Sequence, residues 1–411
     1  MASMDLTAYD FALKEYYTDQ RVENAMYTNA PALALIPKDE TFVGDSMPLP
    51  LAYTNPMGRS ATFSTAQSNA TPSKGVRYLL TRARDYGVAT IDNETLLASQ
   101  SNAGAFMRAA THEIDGVLNN LRRSASIALF RDGSGSIGRV NNSSFATTTL
   151  TLGNGSGTAD PGDVVNFEVG QVLQISSGGT SGTLRSGSLT VAAVDRDAGT
   201  ITTTANLSTG VSAIAQNDYI HVSGDASAKV TGFAGWLVYG GASSTSFFGV
   251  DRSVDKYRLG GVWIDGTSAP IEEVVIKTAM RLGREGGEPS HLFLSFDQFE
   301  NLEKALGSKV QYIDVKAGTE GQIGFTGIKI ASGGVGPITV LADSACPRNR
   351  GYMLTLKDWG FYSLGKLPRV LDTDGLSMLR QASADGVEVR YGYYGQVGCK
   401  IPGHSAVIAL P

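Results

Sequence analysis

The residue patterns in this chain that could carry chemistry are few, and each fails on its context. Gly133, Gly135 and Gly138 spell the GxGxxG of a dinucleotide site. That spacing cradles a pyrophosphate only when a strand precedes it and a helix follows, so that the phosphates meet a helix N-terminus. Here a helical pattern precedes the glycines and β-type sequence follows, so they are expected to stop a helix. Asp195, Asp197 and Gly199 look like the start of a calcium loop, but its twelfth position, which needs a bidentate glutamate, holds Asn206. A hairpin turn accounts for them. His112, His221, His291 and His404 stand one per region, none at ligand spacing from another His or a Cys. No G-x-S-x-G elbow or G-x-x-x-x-G-K-[ST] loop occurs, and the glycine-rich run from Gly283 to Pro289 lacks the lysine. Glu272 and Glu273 are adjacent on a helical segment and point in different directions, so they make no acid–base pair. No catalytic, cofactor-binding or metal-binding residue is expected, and no enzyme.

What remains is a pattern of charge. Arg59, Lys74, Arg77, Arg82 and Arg84 make one proline-punctuated stretch basic, while Asp39, Glu40, Asp45, Asp92 and Glu94 lie to either side of it. Charges on an exposed element usually contribute little by themselves. As two opposite surfaces they can fix how one copy lies over the next, and the five cations are the candidate assembly contacts.

The bulk numbers favour such association. A chain of 411 residues exceeds the roughly 250–300 residues at which single cores stop growing. Only 18% of residues are charged, against roughly 25% in typical soluble domains. With 49 glycines as well, the chain has surface left to bury, and copies of itself are the simplest cover. A net charge of −5 argues against gripping nucleic acid over a broad basic face. Cys346 and Cys399 are too few for a disulfide framework and read as reduced, partly buried thiols. No apolar run approaches the ~20 residues of a membrane span. The first ten residues show no basic start or apolar signal core, which sets the expectation of a protein made and kept in a cytosol.

Periodicity orders the chain into five parts. Phe11, Leu13, Tyr16, Tyr17, Val22 and Met26 suggest an amphipathic helix that Pro31 ends. A long stretch with Pro48, Pro50, Pro56 and Pro72 follows, read as a protruding arm and hairpin that find partners on other copies. Asp92 and Asn93 cap the strongest helical signal, in which Phe106, Ala110, Ile114, Val117, Leu121, Ala125 and Ala128 recur at helical spacing. A continuous helix from Asn93 to Arg131 would reach about 58 Å, with Gly104 and Gly116 as candidate breaks. Arm and helix are both expected to satisfy their apolar faces only across sister molecules. From about Asn141 to Asp225 the sequence turns Ser-, Thr- and Gly-rich, with short β runs at the spacing of a small barrel or sandwich. Helices from Ile271 to about Arg284 and from Ser295 to Gly307 come next, around a buried strand at His291–Phe296, and a series of strands closes the chain.

In this order the segments resemble the major capsid proteins of tailed bacteriophages. The run from Tyr27 to Ser60 resembles that family's N-terminal arm leading into its extended loop, and Asn93–Gly133 its spine helix. Val230–Gly241 resembles the segment that follows that helix, Phe248–Trp263 with Ile271–Leu306 the start of the axial domain, and Gly324–Leu356 with Val389–Leu410 its closing strands. The likeness covers most of the chain apart from about 141–225. It implies an α+β phage major capsid fold: an N-terminal arm (1–40), an extended β-hairpin loop (41–91), a spine helix and peripheral domain (92–140), an inserted β-barrel or sandwich (141–226), and an axial domain with returning strands (227–411). It further implies self-assembly into hexamers and pentamers of an icosahedral shell around contained double-stranded DNA, in a virion assembled in the host cytoplasm. Portal, scaffold and decoration proteins are the other implied partners, the scaffold separately encoded if present; no membrane is implied. A cage enclosing a cargo enzyme, as in encapsulins, is the alternative. Some members crosslink a loop lysine to a neighbour; Lys74 is the only lysine between 41 and 91, and no partner for it is assigned.

Overall fold

The computed structural model describes residues 30–92, 103–180, 182–241, 246–307, 312–316, 324–332, 334–372, 379–381 and 385–411. The helix expected before Pro31 and the acidic Glu94 lie outside them.

Proline at the first position starts the short helix α1, Pro31–Leu35. Strand β1, Lys38–Asp39, runs parallel to Phe361 and Tyr362 of a later strand. Ala30, Ala32, Leu33, Ile36 and Phe42 are buried in the subunit's own core. This part of the arm is therefore held by its own chain, contrary to the sequence expectation. Strands β2, Ser46–Thr54, and β3, Lys74–Thr81, form an antiparallel hairpin, with the six-residue helix α2, Phe63–Ser68, near its tip. Strand β4, Ala83–Asp92, alternates buried and exposed residues and leads to helix α3, Ala103–Phe130.

Helix α3 is unbroken through Gly116; the side chains of Phe106 and Ala110 lie outside the described residues. Ile114, Leu118 and Leu121 pack on Ala89 and Ile91 of β4 and on Val387, Val389 and Tyr391. From Ile114 onward its apolar face is thus covered by its own subunit's sheet, which for this part corrects the expectation that only a sister molecule could cover it. Local periodicity gives the face but not what lies against it, and here part of the cover comes from Val387, Val389 and Tyr391, far downstream.

The Ser/Thr/Gly-rich stretch folds into strands β5 (Ser136–Arg139), β6 (Thr149–Thr151), β7 (Val172–Ser176), β8 (Leu189–Asp195), β9 (Thr200–Thr203) and β10 (Tyr219–Val222). Their order is β5-β10-β7-β8-β9-β6. The ring closes where Val140 bridges Leu152, with Asn141 N–H donating to Thr151 O at 2.9 Å and Gly153 N–H to Arg139 O at 3.0 Å. Leu150, Phe167, Leu173, Ile175, Val191, Ile201 and Ile220 are buried within it. Closure leaves no sheet edge to pair with another chain. Asp195 and Asp197 belong to the β8–β9 turn, where the Asp195 carboxylate accepts from the backbone of Asp197 and Ala198.

After the small pair β11 (Ser246–Phe247) and β12 (Val250–Asp251), the chain gives β13 (Val262–Asp265), helix α4 (Ile271–Arg284), β14 (His291–Leu294) and helix α5 (Phe296–Leu306). Ser295 caps α5 by accepting from Gln298 N–H, and Gly307 at φ 54° follows its end. Strands β15 (Tyr312–Lys316), β16 (Gly324–Ser332), β17 (Gly336–Ala342) and β18 (Arg350–Leu354) follow. The chain closes with β19 (Trp359–Ser363), β20 (Arg369–Val370), β21 (Leu379–Arg380), β22 (Gly386–Cys399) and β23 (Ala406–Ala409). One seven-stranded sheet has the order β13-β23-β18-β14-β17-β16-β15. Helices α4 and α5 cover one face through Val274, Val275, Leu282 and Leu302. From the other face Phe293 and Tyr352 join Phe130, Phe233 and Trp359 in an aromatic core, with Phe233 and Trp359 centroids 4.9 Å apart. A second sheet is built on β22, which pairs with β19, β20, β21 and β4, while β1 lies outside β19. Cys346 and Cys399 are free and fully buried rather than partly so.

Candidate assembly surface

The hairpin is rigid at its base. Leu49 and Leu80 pack so closely on Gly398 that a Cβ there would lie 2.7 and 2.8 Å from them. Tyr78 donates from its hydroxyl to Leu259 O at 2.8 Å and meets Trp236 edge-on at 5.0 Å; burial raises its pKa well above the ordinary tyrosine value. Leu79 N–H donates to Phe248 O at 2.9 Å, and Arg258 donates to Tyr53 O at 2.5 Å. Pro48 and Pro50, two residues apart on β2, remove donors from its outer edge, so the hairpin resists further strand pairing.

Its far end is the opposite. Helix α2 buries none of its six residues. Phe63 is 79% and Met57 61% exposed. A helix this short is unstable in water unless something packs on it.

The five predicted cations do not form one patch. Arg59, Lys74 and Arg77 are exposed on the hairpin. Arg82 is half-buried and folds back over the Phe42 ring at 5.1 Å. Arg84 lies on the sheet built on β22, opposite Tyr394 in the register. None of the five makes an ion pair among the described residues. Asp39, Glu40, Asp45 and Asp92 are likewise free of ion pairs among the described residues, with Asp39 accepting from Thr41.

Three features escaped the sequence reading. Tyr86 and Val88 stand half-exposed on the outer face of β4, and the Tyr86 ring meets Tyr394 at 5.9 Å. The strict alternation of β4 could have revealed that face. Second, ion pairs tie the barrel to the rest of the subunit: Arg123 to Glu168, Arg131 to Asp163 at 2.6 Å, and Lys229 to Asp85 at 2.8 Å. A cleft of about 610 Å³ remains between β4, α3 and the barrel. Third, the glycines of the failed dinucleotide pattern have a packing role. Gly135, at φ 76°, passes Asp225 so closely that a Cβ would lie 2.1 Å from its carbonyl oxygen. The histidines are scattered: His221 is buried with Ser176 Oγ at 2.8 Å and is kept neutral by desolvation, and His404 meets Asp358 at 2.9 Å.

No protein-family model matches this chain, and no curated protein matches it. Solved structures do. A chain of the cyanophage A-1(L) capsid asymmetric unit is 10% identical, with 93% of each chain covered and a TM-score of 0.50. A Mycobacterium phage Ogopogo chain (9% identity, 93% and 92% covered, TM-score 0.41) and one from the satellite phage P4 procapsid (9%, 100% and 98%, 0.41) align over similar lengths. In overall fold, a mixed α+β chain with several sheets, this chain is similar to the cyanophage capsid chain.

Proposed function

We propose that the chain is the shell-forming subunit of a virus-like capsid, assembling into hexamers and pentamers of an icosahedral shell that encloses double-stranded DNA. The observation that carries this reading is the hairpin: its base is locked into the subunit, while its tip holds Phe63, Met57, Arg59 and Lys74 exposed, with none of the described residues covering them. A surface of this kind, repeated on every copy, meets a different surface on the next copy. Such head-to-tail contacts close into rings when the rotation allows. The likeness to the cyanophage capsid chain in fold supports the same reading.

In this proposal α3 and the sheet built on β22 form a peripheral domain, the seven-stranded sheet with α4 and α5 an axial domain, and the barrel an insertion between them. The subunit's place is the virion, after assembly in the host cytoplasm, with portal, scaffold and decoration proteins as further partners. DNA is contained rather than specifically bound, in keeping with the net charge of −5. The test is electron microscopy of the purified chain. Closed shells or capsomers are expected, and a monomer that persists at high concentration defeats the proposal.

A further inference from the structure

A sheet edge left open presents a row of unpaired backbone groups, and proteins normally block it. This chain blocks two such edges: Pro48 and Pro50 remove donors from the hairpin, and the barrel closes on itself. Strand β4 has neither device. It pairs with β22 on one side and with no other strand among the described residues, and none of its ten residues is proline. The Tyr86 N–H donates to the carboxylate of its own neighbour, Asp85, at 3.1 Å, which places it on the open side of the strand. By the alternation of an antiparallel ladder, the backbone groups of Arg84, Val88 and Thr90 point the same way.

That edge borders open space. Residues Arg82 to Tyr86 line a cleft of about 620 Å³ beside the stem that carries Ser223 and Lys229. Residues Asp85 to Val88 line the cleft of about 610 Å³ under α3. Every carboxylate on these walls is already matched: Asp85 and Asp225 share Lys229, and Glu168 holds Arg123. Arg131 is engaged by Asp163. Arg82 and Arg84 are left, without an ion pair among the described residues, while the exposed Asp92 at the end of β4 lines neither cleft. The unmatched charge beside the edge is therefore positive.

We propose that the open edge of β4 takes an extended acidic segment of another protein as an added strand. Its backbone would pair with Arg84, Tyr86 and Val88, and its side chains would alternate between two faces. On the outer face, carboxylates meet Arg84 beside the half-exposed Tyr86 and Val88. On the other, apolar side chains turn toward Val117 of α3. This inference goes beyond the shell-forming reading and does not depend on it.

The experiment titrates a fluorescent Val-Glu-Val-Glu-Val-Glu peptide with the full-length chain, reading anisotropy, beside a Val-Lys-Val-Lys-Val-Lys control. Amide hydrogen exchange then locates the contact. The acidic peptide should bind, the lysine peptide should not, and exchange should slow across 84–90. Arg84→Glu alters an exposed side chain, so its melting curve should be unchanged, and it should weaken the acidic peptide about tenfold. No binding of the acidic peptide, equal binding of the two peptides, full affinity in Arg84→Glu, or binding without protection at 84–90 each overturns the proposal. A chain that binds the peptide in this way but forms no shells upholds the strand addition and overturns only the shell-forming reading.

Discussion

Lys229 Nζ stands 2.8 Å from Asp85 Oδ1, joining the limb by which the chain leaves the barrel to strand β4. Lys229 also donates to Ser124 Oγ at 2.9 Å and lies 3.2 Å from Asp225, while Ser124 donates to Asp85 at 2.6 Å. Burial raises the pKa of Asp225, the Lys229 cation opposing it. Strand, helix and barrel stem thus meet at one ammonium, whose side chain is only 8% exposed.

Lys229→Met keeps the stem's aliphatic length but leaves Asp85 buried without a cation. Removing one partner of a buried pair typically costs about 3–5 kcal/mol. A chemical denaturation midpoint should fall accordingly. Adding Asp85→Asn should recover part of the loss, because the stranded charge goes with it. A Lys229→Met variant as stable as the wild type means that water reaches the pair freely.

Asp343 gives a pH dependence of defined sign. Its carboxylate accepts from Ala32 N–H at 3.2 Å and Ala345 N–H at 3.0 Å, pinning α1 to the loop after β17. Burial nonetheless lifts its pKa from 3.8 to about 6. Because the folded value lies above the unfolded one, the folded protein binds the extra proton between about pH 4 and 6. Stability is therefore highest below about pH 4 as far as this group is concerned, and falls as pH rises through 6 by on the order of 3 kcal/mol. The difference in unfolding free energy between wild type and Asp343→Asn should change across that window. A difference flat from pH 4 to 7 shows that Asp343 titrates normally.

The contact between α3 and β4 is tight enough to test from both sides. Leu121→Ala should cost about 2–5 kcal/mol, the usual result of emptying a packed leucine site. Conversely, a Cβ on Gly87 would lie 2.6 Å from Val117 and 3.1 Å from Leu121. Gly87→Ala should therefore destabilise by about 1–3 kcal/mol through overpacking, and pairing it with Val117→Ala should relieve much of that. Strictly additive effects in the double variant mean the two residues do not meet.

This contact also marks where the sequence stops being informative. Helical spacing placed Ile114 and Leu121 on one face, Ser295 and Gly307 bounded α5, and alternation with turn residues gave the β runs of the barrel. Each of these is a local signal, set by backbone geometry within a few residues. Part of what covers α3 is not local: beside Ala89 and Ile91 of the preceding strand lie Val387 and Val389 of β22, which only strand pairing across the whole chain brings beneath the helix. The cations fared likewise. Arg82 and Arg84 are neighbours of Arg77 in sequence, yet the bend between β3 and β4 turns one onto Phe42 and carries the other to a different sheet.

The hairpin tip separates folding from assembly. Phe63→Ser should leave the melting temperature of the isolated subunit unchanged, since an exposed ring contributes little burial. In a shell that covers the tip, the same change should reduce yield sharply. Lys74→Glu with Arg77→Glu should do the same in a salt-dependent way, because exposed charges act within a Debye length of about 10 Å at 0.1 M salt. Full shell yield from both variants would show that the tip stays in solvent.

The barrel offers the last test, of whether 133–230 is a separable insertion. The chain leaves and returns at one place, where Gly232 N–H donates to Arg131 O at 2.9 Å. Between these points the strands form a closed ring whose buried residues continue into the subunit's main core, and ion pairs of Arg123, Arg131 and Lys229 also tie it to α3 and β4. The strands close on one another through backbone hydrogen bonds, so the barrel should unfold cooperatively when expressed alone. Excising 133–230 and joining Asp132 to Thr231 removes Lys229 and strands Asp85, so the excision needs Asp85→Asn beside it. That variant should fold and still form shells if the barrel only decorates them. If it folds but yields no shells, the barrel braces neighbouring subunits; if the isolated barrel is unstructured, its core depends on the rest of the chain.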